Sequence, residues 1–189
     1  GFGGDRDGYD FQNLHRNKRS IALNLKSPEG KAALMKLAAN ADVLVENMRV
    51  KVKHRLGIAY DDLKGINPRL IYASISGFGQ TGPYGERAGV DQIAQGMGGM
   101  MTITGEPGRG PMRAGIPFVD LTAGNLLALA VMMALFQREK TGQGRYVHTS
   151  LLEAMVFMLD LQAARWLMDG EIPGQAGNDH PTTTPTGLF

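Results

Sequence analysis

No cysteine occurs in the 189 residues, which excludes disulfides, thiolate metal sites and a cysteine nucleophile. Histidine is sparse: His15, His54, His148 and His180 are widely separated and lack metal-ligand spacing, so no metal is expected. Neither sign of charge dominates. A net charge of +2, with scattered basic residues, leaves no footprint for nucleic acid or a membrane surface, and neither is expected as a partner. A few placed Arg and Lys would still suffice for a small anionic ligand. The longest apolar run, Leu126 to Phe136, is too short to span a bilayer and suits a buried helix. No secretory signal pattern, internal repeat, GxGxxG fingerprint or GK[ST] phosphate loop is found. A cytoplasmic location is the expectation that fits these absences.

What is present describes a globular α/β chain. Hydrophobic residues make up 43% and charged residues 20%, the proportions of an ordinary soluble fold, and the length is enough for one sizeable core. The chain opens GFGGDRDGYD without Met and closes HPTTTPTGLF, so a segment of a longer protein is expected. Residues 1–14 read as loop, followed by the basic cluster His15 to Arg19 and the alternating, strand-like run Ile21 to Leu25. Ser27 and Pro28 take the N-cap and first positions of a helix reaching about Ala41. Strands are expected at Asp42 to Glu46, Leu70 to Ser76 and Tyr146 to Thr149, with helical segments between them. This alternation predicts a parallel sheet whose ligands bind outside the carboxyl ends of the strands. Asn47, Met48 and Arg49 lie at one such end, and the glycine-rich loop from Ser76 to Pro83 lies at another.

The stretch Arg113 to Phe136 is the most telling. One carboxylate, Asp120, stands before a helix with no further charge until Arg138. As an N-cap, Asp120 would accept orphan N–H groups and lie in the positive end of the helix dipole, which favours its ionised form. Two roles are open to it, helix cap or poised nucleophile. A helix over residues 88–100 precedes it, breaking into Gly98-Gly99, and Thr102 to Gly110 reads as loop. Ser150 and Glu153 form a capping box that accounts for Glu153 and opens a helix to about Met168, with Gly170 as its C-cap glycine.

Four segments together resemble family III CoA-transferases, the group of formyl-CoA transferase and the carnitine and bile-acid CoA-transferases. They are Asn17-Lys18-Arg19-Ser20 with Lys26; Glu46-Asn47-Met48-Arg49 with Arg55-Leu56-Gly57; Ser76-Gly77-Phe78-Gly79-Gln80 with Gly82-Pro83; and Asp120 with Lys140-Thr141-Gly142-Gln143-Gly144. The resemblance implies a Rossmann-like parallel sheet with flanking helices. Residues 1–170 would form part of a large CoA-binding domain, and 171–189 the start of a linker toward a small domain. It implies Asp120 as the nucleophile that passes CoA from an acyl-CoA to a carboxylic acid through an aspartyl-CoA thioester, without a metal. Arg19, Lys26, Asn47, Met48, Arg49, Arg55, Gly77 and Phe78 would line the coenzyme A site, and the whole protein would be an interlocked homodimer. α-Methylacyl-CoA racemases resemble the same family and pair the equivalent aspartate with a histidine in an Ala-Gly-His-Asp segment. Here that segment is Ala88-Gly89-Val90-Asp91, and valine moves no proton. A racemase-like isomerase and a non-catalytic CoA-binding module are the alternative readings.

Overall fold

The computed structural model of the chain describes residues 8–188. They fall into two compact units, divided between Leu34 and Met35.

The first unit holds α1 (Tyr9–Leu14) and the opening of α2 (Pro28–Ala39). α1 corrects the expectation of loop there: after Gly8, no breaker interrupts the helical bonds Gln12 N–H to Gly8 O (3.1 Å) and His15 N–H to Phe11 O (3.0 Å). Residues 21–25, expected as a strand, form none. An alternating pattern becomes a strand only with a partner, and the three strands of the described sheet come from other segments. α2 begins as the sequence prescribes, with Ser27 Oγ accepting the Gly30 N–H at 3.1 Å.

The second unit is built on three parallel strands in the order β1 (Val43–Glu46), β2 (Ile71–Ser76) and β3 (Arg145–Ser150). Val43 pairs with Ile71 and Ile71 with Arg145, so the three carboxyl ends, Glu46, Ser76 and Ser150, come out at one edge of the sheet. α3 (Val50–Leu56) and α4 (Tyr60–Leu63) connect β1 to β2. α5 (Asp91–Met97), α6 (Met100–Ile103) and α7 (Phe118–Thr141) connect β2 to β3. α8 (Leu151–Phe157) and α9 (Leu161–Asp169) follow.

The central strand is buried on both faces, as a parallel sheet requires. Leu70, Tyr72, Leu63 and Ala38 form one cluster, with Tyr60 and Tyr146 against it. Ile75, of opposite parity to Tyr72 along β2, packs into the other, made of Ala94, Val119, Ala123, Leu151, Ala154 and Met155. That second cluster joins α5, α7 and α8 to the sheet. α7 is fixed at its carboxyl end by the buried Arg138, which donates to Asp42 O (3.3 Å), Arg69 O (3.1 Å) and Asp42 Oδ1 (2.9 Å). Gly142, at φ 71°, ends it.

α7 is long and apolar enough by length and composition alone to cross a membrane, more than its uninterrupted apolar run suggested. Its Val119, Ala123, Leu127 and Ala134 are nonetheless buried, in a helix that packs on β2, β3 and α8. The helix expected from Ser150 to Met168 divides in two. Ser150 Oγ caps α8 by accepting the Glu153 N–H at 3.1 Å. At residues 158–160 the ladder tightens to Leu159 N–H on Val156 O (3.2 Å) and Asp160 N–H on Phe157 O (3.4 Å), and Leu159 packs on the second cluster. α5 starts at Asp91 rather than residue 88, and α6 occupies the first residues of the expected 102–110 loop.

Candidate active site

The carboxyl ends of all three strands open onto one cavity of about 400 Å³. Asn47 enters it from the end of β1, Ile75, Ser76 and Gly77 from β2, Leu151 from β3, Gly89 and Val90 from the approach to α5, and Asp120 from α7. Topology places the cavity where open parallel sheets bind ligands.

Asp120 is not the N-cap of its helix. Pro117 holds that position and Asp120 lies in the first turn. The cap comes from a distant residue: Asp91 Oδ2 accepts both the Val119 N–H (2.7 Å) and the Asp120 N–H (3.1 Å). Asp91 is held in turn by Gln95, whose Nε2 donates to Asp91 Oδ1 at 2.5 Å and whose Oε1 accepts the Ala114 N–H at 2.9 Å. Gln95 is fully buried. The first residues of α5 thus lock the first turn of α7, and the Asp120 carboxylate accepts no hydrogen bond from the described residues.

The electrostatic outcome also differs from a simple cap. Burial, and secondarily the negative charge of Asp91, raise the Asp120 carboxyl above the ordinary aspartate value. Asp120 is an exposed residue by its accessible surface, yet the hydration its carboxyl loses at the cavity wall is the larger cause of the rise. The product is a carboxylate that is more basic and less solvated than one in water. Among the described residues it is the only titratable side chain lining the cavity.

Another part of the cavity lining depends on two glycines. A Cβ on Gly77 would meet Gly89 Cα and N at 2.5 Å, and one on Gly89 would meet Gly77 Cα at 2.5 Å. Only glycine at both positions lets the loop after β2 cross the segment entering α5, and Gly77 O also accepts the Leu152 N–H at 3.1 Å. Phe78 turns aside and packs on Tyr84 (centroids 5.7 Å apart), whose ring carries the Arg87 guanidinium at 4.3 Å.

Of the residues singled out in the sequence, Asn47, Gly77 and Asp120 meet at this cavity. Met48, Arg49 and Arg55 lie beside it in sequence, on the β1–α3 turn and α3, with both arginines exposed. Phe78 is half-buried on the loop. Arg19 and Lys26 are exposed residues of the first unit. No three His, Asp or Glu side chains among the described residues come together as a metal site requires.

Two features had no local signal. Asp91 caps a helix 28 residues downstream of itself, a relation only tertiary structure creates. Beneath the β1–α3 turn, Lys53 is buried at 3% exposure, with its ammonium 2.8 Å from Glu46 Oε1 and 3.1 Å from Ser74 Oγ. In the run Val50 to Arg55 it reads as one more surface cation.

The sequence model of the family described as CoA-transferase family III matches residues 2–189. The succinate–glutarate CoA-transferase of Agrobacterium fabrum is 42% identical over 93% of this chain and 44% of its own length. The acetyl-CoA:oxalate CoA-transferase of Acetobacter aceti is 41% identical over 98% of this chain and 48% of its own. The crystal structure of a CaiB/BaiF family protein from Brucella suis superposes with a TM-score of 0.85 at 43% identity, over 90% of this chain and 45% of that one. The chain therefore spans about half the length of the relatives it matches.

Proposed function

The chain belongs to CoA-transferase family III, and from that premise we propose that it supplies the nucleophile and part of the coenzyme A site of an enzyme moving CoA from an acyl-CoA to a carboxylic acid. Asp120 is the nucleophile. Its carboxylate attacks the thioester carbonyl, the C–S bond breaks, and a mixed anhydride and CoA thiolate result. The thiolate then attacks the aspartyl carbonyl, releasing the donor acid and leaving aspartyl-CoA. The acceptor carboxylate attacks that thioester and expels the thiolate, which takes the acceptor acyl group from the new anhydride. Asp120 returns as a carboxylate, and no net proton or electron is consumed. This is covalent catalysis splitting one hard exchange into easier steps.

One observation carries this reading: Asp91 does the capping, and the Asp120 carboxylate, which accepts no hydrogen bond from the described residues, faces the cavity. Burial and the nearby Asp91 charge raise its pKa, which adds to its nucleophilicity, and the apolar Ile75, Val90 and Leu151 limit its hydration. A two-base racemase finds no second proton carrier among the described lining residues, where Val90 stands.

For coenzyme A, Asn47, Met48 and Gly77 flank the reacting end, while Arg49 and Arg55 supply cations for its phosphates and Phe78 an apolar contact. Relatives named for succinate, glutarate, citramalate and oxalate make a short dicarboxylic acid the first class of acceptor to test. The working protein is a cytoplasmic homodimer. Exchange of labelled succinate into succinyl-CoA by the full-length protein, lost in Asp120→Asn, is the expected result. Unchanged CoA binding with no exchange across a broad acyl-CoA panel would return the chain to a binding module.

A further inference from the structure

Two of the segments that line the cavity beside Asp120 are tied to a single buried ammonium. Lys53 projects from α3, with its side chain 4% exposed, onto the sheet face formed by Tyr72 and Ser74. A lysine ammonium has three protons and no acceptor. One goes to Glu46 Oε1 (2.8 Å), one to Ser74 Oγ (3.1 Å), and the ammonium stands 5.9 and 5.8 Å from the Tyr72 and Tyr146 ring centroids. Each partner has a second bond. Glu46 Oε2 accepts the Met48 N–H at 2.7 Å, which sets the turn carrying Asn47. Ser74 Oγ accepts Gln80 Nε2 at 3.0 Å, which ties down the loop that starts at Gly77. Glu46 and Ser74 are themselves paired across β1 and β2, so the ammonium lies where the two cavity walls leave the sheet.

Stability alone is a poor reason for this arrangement, because the desolvation of two buried charges commonly cancels their attraction and a well-packed apolar pair does as well. We infer that Lys53 is a positioning residue: through Glu46 and Ser74 it fixes the spacing between the turn at Asn47 and the loop at Gly77, and thereby the width of the acyl-CoA cleft. It touches neither substrate nor reacting atoms. The inference rests on the functional reading above only for the identity of the ligand.

The test uses the full-length protein with the double substitution Lys53→Met, Glu46→Gln, which removes the pair without stranding a buried charge and keeps an acceptor for the Met48 N–H. Calorimetry with coenzyme A, kinetics with succinyl-CoA and thermal melting are measured together. The expected result is affinity for CoA and KM for succinyl-CoA each weakened about tenfold, with kcat and the KM for the acceptor acid within about twofold of the parent. Unchanged CoA affinity in a folded double variant overturns the inference, as does a lowered melting temperature with unchanged KM. Should that variant fail to fold, Gln80→Leu cuts only the half-buried loop arm: a raised KM for succinyl-CoA supports the inference and an unchanged one overturns it. If the parent binds CoA but transfers nothing, the functional reading fails while the calorimetric comparison still decides the role of Lys53.

Discussion

At the scale of single residues, Asp91 and Asp120 divide work that the local sequence assigns to one of them. Asp91 satisfies two amide groups at the start of α7, and Asp120 keeps its oxygens for the cavity. Removing each should therefore have a distinct signature. Asp120→Asn should lower transfer roughly a thousandfold or more with the melting temperature at pH 7 equal to or above that of the parent. The sign follows from linkage: a carboxyl raised on folding opposes the folded state wherever it is ionised, and that penalty fades as pH falls through its folded pKa. Asp91→Asn keeps an acceptor for the helix but deletes a like charge, so the Asp120 pKa should drop. The acid limb of the pH–rate profile should then move to lower pH. A limb that stays in place or moves up would contradict the electrostatic account. Asp91→Ala, which loses the acceptor as well, should destabilise by about 1–2 kcal/mol in chemical denaturation.

At the scale of elements, what was legible in the sequence was local. Ser27 with Pro28 and Ser150 before Glu153 announced their helices because a cap and its amides are neighbours in the chain. The strands were legible as compact apolar runs with helical segments between them, and parallel pairing placed Asn47, Gly77 and Asp120 at one edge. Features set by distant contacts were not. Residues 21–25 alternate but lack a partner strand; Asp120 reads as a cap but lies in the first turn of α7, whose amides Asp91 reaches from another segment; Lys53 stands among the exposed Lys51, His54 and Arg55 and is nonetheless buried. The crossing of Gly77 and Gly89 is the most constrained of these contacts. Gly77→Ala or Gly89→Ala forces the two segments apart, with an expected cost of about 1–3 kcal/mol and a weakened CoA affinity. Gly65→Ala, where an added Cβ meets nothing within 4 Å, is the control that should leave binding unchanged.

At the scale of the molecule, the outer side of α7 is uncovered. Leu129, Met132, Met133 and Phe136 are 58–67% exposed on a helix whose other side packs on the sheet. An apolar stripe of this kind marks a contact surface in a soluble protein, and the chain spans about half the length of its relatives. The homodimer proposed for the working protein predicts twice the chain mass for the full-length protein in light scattering, and a monomeric mass would contradict it. The central claim, that CoA passes through a covalent bond to Asp120, is tested most directly by peptide mass spectrometry. The full-length protein is incubated with succinyl-CoA, trapped with hydroxylamine or borohydride, and digested. The account predicts a hydroxamate or reduced adduct on the peptide containing Asp120, absent in Asp120→Asn. An unmodified Asp120 in a protein that transfers CoA at the parent rate would contradict it.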